Sequence, residues 1–473
     1  AEQTFARIIP LAKSQPPSME SALVMRDGAR FQAENHQPQQ AIETYKDAML
    51  ASGVADTRPM DNDTFTRLTR NDAKDDWLKR GLRSDAADLY RQQDVNVTLD
   101  HDYWGSSGTP GYSDLQAHTT MLQVDAPLSD GRMWFRTDVV GMDAGTFENS
   151  GDGGYNERWG TCNDHTCTGS NHQRANGASL AVGWKNDTWE TDIGTTPLGF
   201  DVVDVVGGVS YSNDIGPMGY TLNAHRRPIS SSMLSFAGQR DPNTNTVWGG
   251  VRATGIGVST SYDKGEANGV WASLSGDTLT GENVADNWRV RFMTGYYYKL
   301  INENNGRLTV GLTNMLWNYD KDLSDYFLGQ GGYYSPQQYV SFAIPVIWRQ
   351  RTENWSWELG ASGSWSYSKS DAGKRYPISS LVPDTFNTAA DEYDYPDRND
   401  PSGGSSSNGF GYTARALIER RIDSHWSIGA GIDIQQAKDY TPSHALIFVR
   451  YSLAGWQGDM NMPPQPLVPY ADF

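Results

Sequence analysis

Between Trp355 and Tyr367 the chain reads WSWELGASGSWSY, an alternation with a period of two. The odd positions Trp355, Trp357, Leu359, Ala361, Gly363, Trp365 and Tyr367 form an apolar set. The even ones carry Ser356, Glu358, Gly360, Ser362, Ser364 and Ser366. Period two means a strand with one apolar and one polar face. The aromatics fall at both ends of the apolar face, with small groups between. At about 3.3 Å per residue and a tilt of roughly 40°, Trp355 to Tyr367 covers about 30 Å and Trp357 to Trp365 about 20 Å. Those lengths bracket the apolar band of roughly 25 Å on an outer-membrane barrel. A soluble sheet has no reason to respect that length, so the pattern predicts a lipid-facing strand.

The same alternation begins near Val95 and recurs in about sixteen segments of roughly ten residues. Trp288, Val290, Phe292, Tyr296 and Tyr298 form one outward set, and Trp426, Ile428, Ile432 and Ile434 another. Short turns such as Asn302 to Asn305 and Arg351 to Asn354 alternate with long excursions, chiefly Asp143–Ala175, Ile229–Thr246, Asp320–Gln337 and Ser370–Asn408. This is the sidedness of outer-membrane barrels, whose turns are periplasmic. The expected fold is therefore mainly β, a 16-stranded antiparallel transmembrane barrel over residues 92–454. An even count puts both barrel ends on the periplasmic side. Gly255 with Gly257, and Pro345 inside FAIPVIW, are expected to mark bulges.

Residues 1–91 follow a different period. Met19 to Glu34 and Pro38 to Leu50 carry apolar residues at intervals of three and four, with Pro38 as a start signal and Gly53 as a stop. Ala22, Gly28 and Ala29, then Ala41, Tyr45 and Ala48, resemble one tetratricopeptide repeat over about 19–52. Such a repeat stacks on neighbours, so further copies are expected upstream. The chain, opening at Ala1 without an initiator, reads as a mature fragment. A linker helix broken at Gly81 is expected over 73–90, leading into the barrel. Residues 455–473 form a proline-rich tail that cannot continue the sheet; it is either periplasmic or tucked into the lower lumen.

Composition fits a barrel: 48 Gly, 16 Trp and 24 Tyr in 473 residues supply small and interfacial aromatic groups. Mean hydropathy is −0.61, and no apolar run is long enough for a transmembrane helix. A net charge of −18 argues against nucleic acid as a partner. Cys162 and Cys167, in TCNDHTC, are read most simply as a disulfide formed in an oxidising compartment. His165 and His172 keep a metal site conceivable there, though the spacing matches no standard zinc pattern, and neither a metal nor a cofactor is expected.

A barrel of sixteen strands holds an aqueous channel rather than a side-chain core. The aromatics expected on its wall are Trp104, Trp134, Trp271, Tyr297 and Trp317. The polar groups expected there include Asp100, Asp102, Arg136, Asp138, Arg289, Arg291, Glu358, Arg415, Glu419, Asp433 and Arg450. One reading is a polysaccharide track of ring faces and exchanging hydrogen bonds. The plainer reading is charge pairs that brace the wall. In the longest excursion, Asp391, Glu392, Tyr393, Asp394, Tyr395 and Asp397 could form an extracellular gate. They could equally be a solvated acidic loop, and their spacing is no EF-hand. No nucleophile motif such as G-x-S-x-G is present, so a barrel-embedded hydrolase is disfavoured. An outer-membrane adhesin or receptor is the other alternative.

Three segments carry a closer likeness: MRDGARFQAENHQPQQAIETYKDAM, WSIGAGIDIQQAKDYTPSHALIFVRYSLAGW and the tail NMPPQPLVPYADF. On these the chain resembles the C-terminal portion of the cellulose synthase operon protein C family, over essentially its whole length. The resemblance implies an outer-membrane barrel of a Gram-negative bacterium that exports cellulose, or chemically modified cellulose, and is not an enzyme. It also implies periplasmic repeats reaching toward the inner-membrane synthase complex, with outer-membrane lipid around the barrel. Peptidoglycan is a further contact candidate for the repeats.

Overall fold

The computed structural model describes residues 1–148, 158–168, 172–386, 401–402, 404–436 and 441–473, with backbone alone at 401–402. Sixteen antiparallel strands form a closed ring. They are β1 (Asn96–Ser106), β2 (Leu115–Leu128), β3 (Gly131–Thr146), β4 (His172–Lys185), β5 (Trp189–Thr195), β6 (Val205–Ile215), β7 (Met218–Pro228) and β8 (Val247–Tyr262). The second half is β9 (Asn268–Glu282), β10 (Val284–Glu303), β11 (Gly306–Tyr319), β12 (Gln338–Arg351), β13 (Trp355–Ser370), β14 (Ser405–Arg421), β15 (Trp426–Gln436) and β16 (Ser443–Ser452). Each strand pairs with the next. The ring closes between β1 and β16, from Asn96↔Ser452 to Gly105↔Ser443. Gln239–Arg240 adds only a short ribbon against Val247 and Trp248, outside the ring.

Alternation along each strand decides which face meets lipid. Leu99, Phe135, Leu180, Ile256, Leu274, Ile344, Leu359 and Ile447 are exposed on the outside of the ring. Their neighbours Asp100, Arg136, Ser179, Asp277 and Glu358 are buried within it. Aromatic pairs at both rims frame the apolar band: Trp348 with Trp357 and Trp426 with Tyr451 at the turn end, Phe342 with Trp365 toward the loops.

Neither expected bulge is where the sequence put it. The ladder between β8 and β9 is continuous through Gly255↔Asp277 and Gly257↔Ser275, and shifts instead between Gly249 and Arg252. Gly249 and Gly250 hold φ of 109° and 63° there, open to glycine but not to most residues. Pro345 causes no shift either. Val310↔Val346 and Thr313↔Ala343 share one register, and Pro345↔Ser362 sits in an unbroken ladder to β13. Proline removes a donor, so rungs are lost on one side while the register stands.

Five helices precede the ring: α1 (Glu2–Ser14), α2 (Met19–Glu34), α3 (Pro38–Ser52), α4 (Asn62–Leu68) and α5 (Trp77–Gln93). The last runs past the expected end at 91, and the strands span 96–452 rather than 92–454. Gly81 does not break α5, because Leu78, Leu82, Ala86 and Leu89 bury one face along its length. A single interior glycine costs only about 1 kcal/mol against that packing. Ala22, Ala29, Ala41, Tyr45 and Ala48 are all buried between helices. At Gly28 an added Cβ would meet Ile9 Cδ1 at 2.5 Å, so glycine there lets α1 approach.

The helices are pinned to the turn end of the barrel. Tyr90 Oη donates to the carbonyls of Gly455 (2.7 Å) and Ala454 (3.1 Å). Arg132 Nη1, at the start of β3, donates to the carbonyls of Arg91, Gln92 and Asp94 at 2.7–2.9 Å. A cation therefore caps the end of α5, where the last carbonyls lack partners. The Asp94 carboxylate accepts from the backbone N–H of Val95 (2.8 Å) and Ala454 (3.0 Å), tying the helix exit to the barrel's last strand.

Candidate functional site: the barrel lumen

All sixteen residues expected on the lumen side lie in the inward phase of their strands, because strand phase alone decides that. What they meet there falls into three groups.

Most charges are paired along the wall. Glu358 accepts from Arg349 Nε at 2.7 Å and faces Arg415 Nε at 3.1 Å. Asp277 lies between Arg289 (2.7 Å) and His225 (2.5 Å), while Glu419 holds Arg450 at 3.0 Å. Arg227 forks onto Asp192 at 2.6 and 2.7 Å. Asp433 accepts from Gln435 Nε2 at 2.8 Å, and Asp102 meets His444 at 2.7 Å. Arg136 contacts Asp138 at 3.0 Å in a buried pair. Among the described residues, the buried Arg291 Nε has no acceptor. The partners come from the same strand, its neighbour or the strand one beyond, so wall and support are the same residues.

The aromatics divide by cover. Trp104 lies under the short loop helix Met233–Ala237, in a cluster with Val140, Phe200 and Phe236, and its Nε1 donates to Thr119 Oγ1 at 2.9 Å. Trp134 is covered by Tyr470 and Phe473, ring centres 6.2 and 5.8 Å away. Trp317 stacks on Tyr339 at 4.5 Å. Trp271 and Tyr297 remain half-buried near the turn end.

The third group is the tail, which runs inside the barrel well beyond its lower part. Arg351 Nη1 donates to Met460 O (2.9 Å) at the turn end. Further in, the backbone N–H of Leu467 donates to Asp100 Oδ2 at 3.1 Å and that of Tyr470 to Asp138 Oδ2 at 2.8 Å. Arg136 Nη2 donates to Val468 O at 2.8 Å, and Tyr470 Oη to Asp192 Oδ2 at 2.7 Å. Ser230 Oγ, in the loop after β7, donates to Asp472 at 2.6 Å. The guanidinium groups of Arg136 and Arg227 lie 5.1 and 5.6 Å from the Phe473 ring. From Leu467 onward the tail thus lies along one wall, β1 to β7, after crossing from β12 at the turn end. A cavity of about 1060 Å³ remains beside it, lined by Ser210, Asn223, Ser259, Ser273, Ser275 and Arg291 among others.

Loops close over the far end. Trp159–Gly160, between β3 and β4, pairs in parallel with Tyr326–Phe327, between β11 and β12, from opposite sides of the ring. Tyr112, Phe147, Trp159, Leu234, Trp248, Leu328, Tyr333 and Tyr376 share one buried core there. Cys162 and Cys167 are disulfide-bonded within it. Asp241 Oδ1 lies beside the pair and accepts from Thr161 N and Oγ1, each at 2.9 Å. With both sulfurs in a disulfide, thiolate metal ligands are absent from this group. The six gate candidates from Asp391 to Asp397 lie outside the described residues.

Sequence reasoning missed Asp192, Arg227 and the tail's Tyr470 and Phe473 as lumen residues. Alternation flags the first two; nothing in the tail's composition signals where it threads. Outside the membrane span, burial pushes the Arg91 guanidinium down to about 10 beneath Trp456, whose ring it faces at 4.1 Å. Arg58 beside Glu43 holds that carboxyl below its ordinary range, assisted by Lys46.

Comparison with known proteins adds a family. The family model for the C-terminus of cellulose synthase operon protein C matches residues 113–454. Cellulose synthase operon protein C of Escherichia coli (strain K12) is 70% identical, over 100% of this chain and 40% of its own length. The protein of that name from Salmonella typhimurium is also 70% identical, with the same shares covered. The chain therefore spans about two fifths of the length of the curated relatives it matches. Among solved structures, a bacterial polysaccharide outer membrane secretin aligns at a TM-score of 0.44 and 9% identity, over 76% of this chain and 97% of that one.

Proposed function

We propose, from the premise that this chain belongs to the cellulose synthase operon protein C C-terminal family, that its lumen is the route by which cellulose leaves the cell. The barrel is of the outer-membrane type, in a Gram-negative bacterium. In this reading the turn end, with the helices, is periplasmic. The repeat over α2 and α3 faces the inner-membrane synthase, and peptidoglycan lies within its reach. The role is passage, not catalysis. The observation that carries the reading is a polar wall, hydroxyl-rich between β6 and β13, left open beside the tail in a chain of this family. Many weak hydroxyl contacts suit a moving glucan, because tight binding would stall it. The loop cap lies across the route, so passage entails its opening.

The test narrows that wall. Ser362 and Thr413 face inward and share a hydrogen bond of 2.6 Å between their hydroxyls. Ser362→Trp with Thr413→Trp, placed in the full-length protein, fills the lumen without touching lipid or tail. Cells carrying it are expected to assemble the barrel yet retain glucan in the periplasm. Undiminished surface cellulose would show that the polymer does not use this lumen.

A further inference from the structure

We infer that Trp271 and Tyr297 form a saccharide-stacking platform at the turn-end entrance, laid flat against the wall by Gly295 and Gly269. The proposal rests on the export reading and specifies where a β-linked glucan first meets the lumen.

The sequence writes the device twice. Gly269-Val-Trp271 on β9 runs antiparallel to Gly295-Tyr-Tyr297 on β10, and the register pairs Gly269↔Tyr297 and Trp271↔Gly295. Each strand supplies the glycine over which its neighbour's ring lies. A Cβ added at Gly295 would sit 2.2 Å from Trp271 Nε1 and 2.3 Å from its Cε2. One added at Gly269 would sit 2.3 Å from Tyr297 Oη. The rings therefore fill the space that any other residue would occupy, and their faces are parallel to the wall rather than edge-on to it.

The same notch recurs elsewhere with a different outcome. Gly183 lies under Trp134 and Gly429 under Phe448, at 2.2 Å in each case. Trp134 and Phe448 are almost fully buried. In those two notches the ring serves packing. Trp271 and Tyr297 stay half-open, and no protein group accepts from Trp271 Nε1 among the described residues. Tyr297 is held at its far end, its Oη donating to Asp263 Oδ2 at 2.6 Å.

Around Trp271 a cavity of about 580 Å³ is lined by Ser212, Thr221, Ser259, Ser261 and Asp214. A ring face beside hydroxyls and the carboxylates of Asp187 and Asp214 matches a pyranose, which offers C–H groups on its faces and hydroxyls at its edges. The negative face of the indole meets the C–H groups, and the edge hydroxyls exchange hydrogen bonds. An apolar guest would leave these hydroxyls unpaired, and an anion would meet Asp214.

The probe is cellohexaose, titrated by calorimetry into the detergent-solubilised chain. The heat-dependent gel shift of a folded barrel is scored for each variant. Trp271→Ala is expected to weaken binding about tenfold, and Trp271→Phe to recover most of the loss. Gly295→Ala, which keeps the indole but lifts it, is expected to weaken binding while the gel shift persists. A packing role alone would move the gel shift and leave the affinity unchanged. Equal affinity in wild type and Trp271→Ala, or no binding by the folded wild-type chain, would overturn the platform. Neither result touches the export reading, which fails only if the narrowed lumen still secretes cellulose.

Discussion

Glu358 has one carboxylate between two guanidinium groups, and the three differ in their exposure to solvent. The Glu358 side chain is 7% exposed, Arg349 32% and Arg415 48%. Solvent weakens the outer contact, so Arg349 carries most of the interaction. Glu358→Gln removes the charge and leaves two cations facing one amide. The expected cost is about 1–2 kcal/mol of barrel stability, read as a lower midpoint in the heat-dependent gel shift. Arg415→Gln should cost markedly less. Equal midpoints for wild type and Glu358→Gln would mean that the pair is decorative. Which residues face the lumen was legible from alternation alone. Their partners were not, because Arg349↔Glu358 is a cross-strand register and a single strand's pattern carries none. The same limit hid the reciprocity of Gly269 and Gly295.

At the scale of elements, long periodic segments declared themselves and local perturbations did not. Helices α2 and α3 lie where their spacing put them, while α4 was too short to show a period. The misplaced bulges share a cause. Glycine and proline in a strand mark permissible irregularity, and the neighbouring ladder decides whether it is used. The helical region also has a pH dependence of its own. Glu43 is held below its ordinary carboxylate range by Arg58, and Arg58 also binds Asp47 at 2.9 Å. A lowered folded value means a contribution fully present above the unfolded pKa and lost as pH falls through the folded one. Helical circular dichroism should therefore show a falling melting temperature between about pH 5 and pH 3. Glu43→Gln should make that fall shallower. The change is modest because Glu43 is half-exposed. A profile that Glu43→Gln leaves unaltered would assign the acid sensitivity to other carboxylates.

For the whole molecule, the decisive relation is between a lumen built by fifteen consecutive strand pairings and the β1–β16 seam, and two long-range contacts that no strand pattern predicts. One is the tail, which adds its own carbonyls and N–H groups to the wall and so leaves the passage polar. The other is the cap, whose core joins loops from opposite sides of the ring. A cap held by apolar packing can open without breaking the ring, since only the loop-end segments of β8, β9 and β10 enter its core. Trp159 is the test of that separation. It is almost fully buried, with ring centres of Phe147 and Trp248 at 5.0 and 5.3 Å, and its Nε1 donates to Gln239 at 3.3 Å. Trp159→Ala removes about 3–5 kcal/mol of local packing, and that loss falls on the cap rather than the strands. In planar bilayers the variant should conduct severalfold better than wild type, with an unchanged gel shift. Replacing Cys162 and Cys167 by serine should act in the same direction but less strongly, because the disulfide closes a short ring worth about 2 kcal/mol. If Trp159→Ala conducts no better, the resistance lies beside the tail instead. Removing residues 462–473 would then be the change that raises conductance.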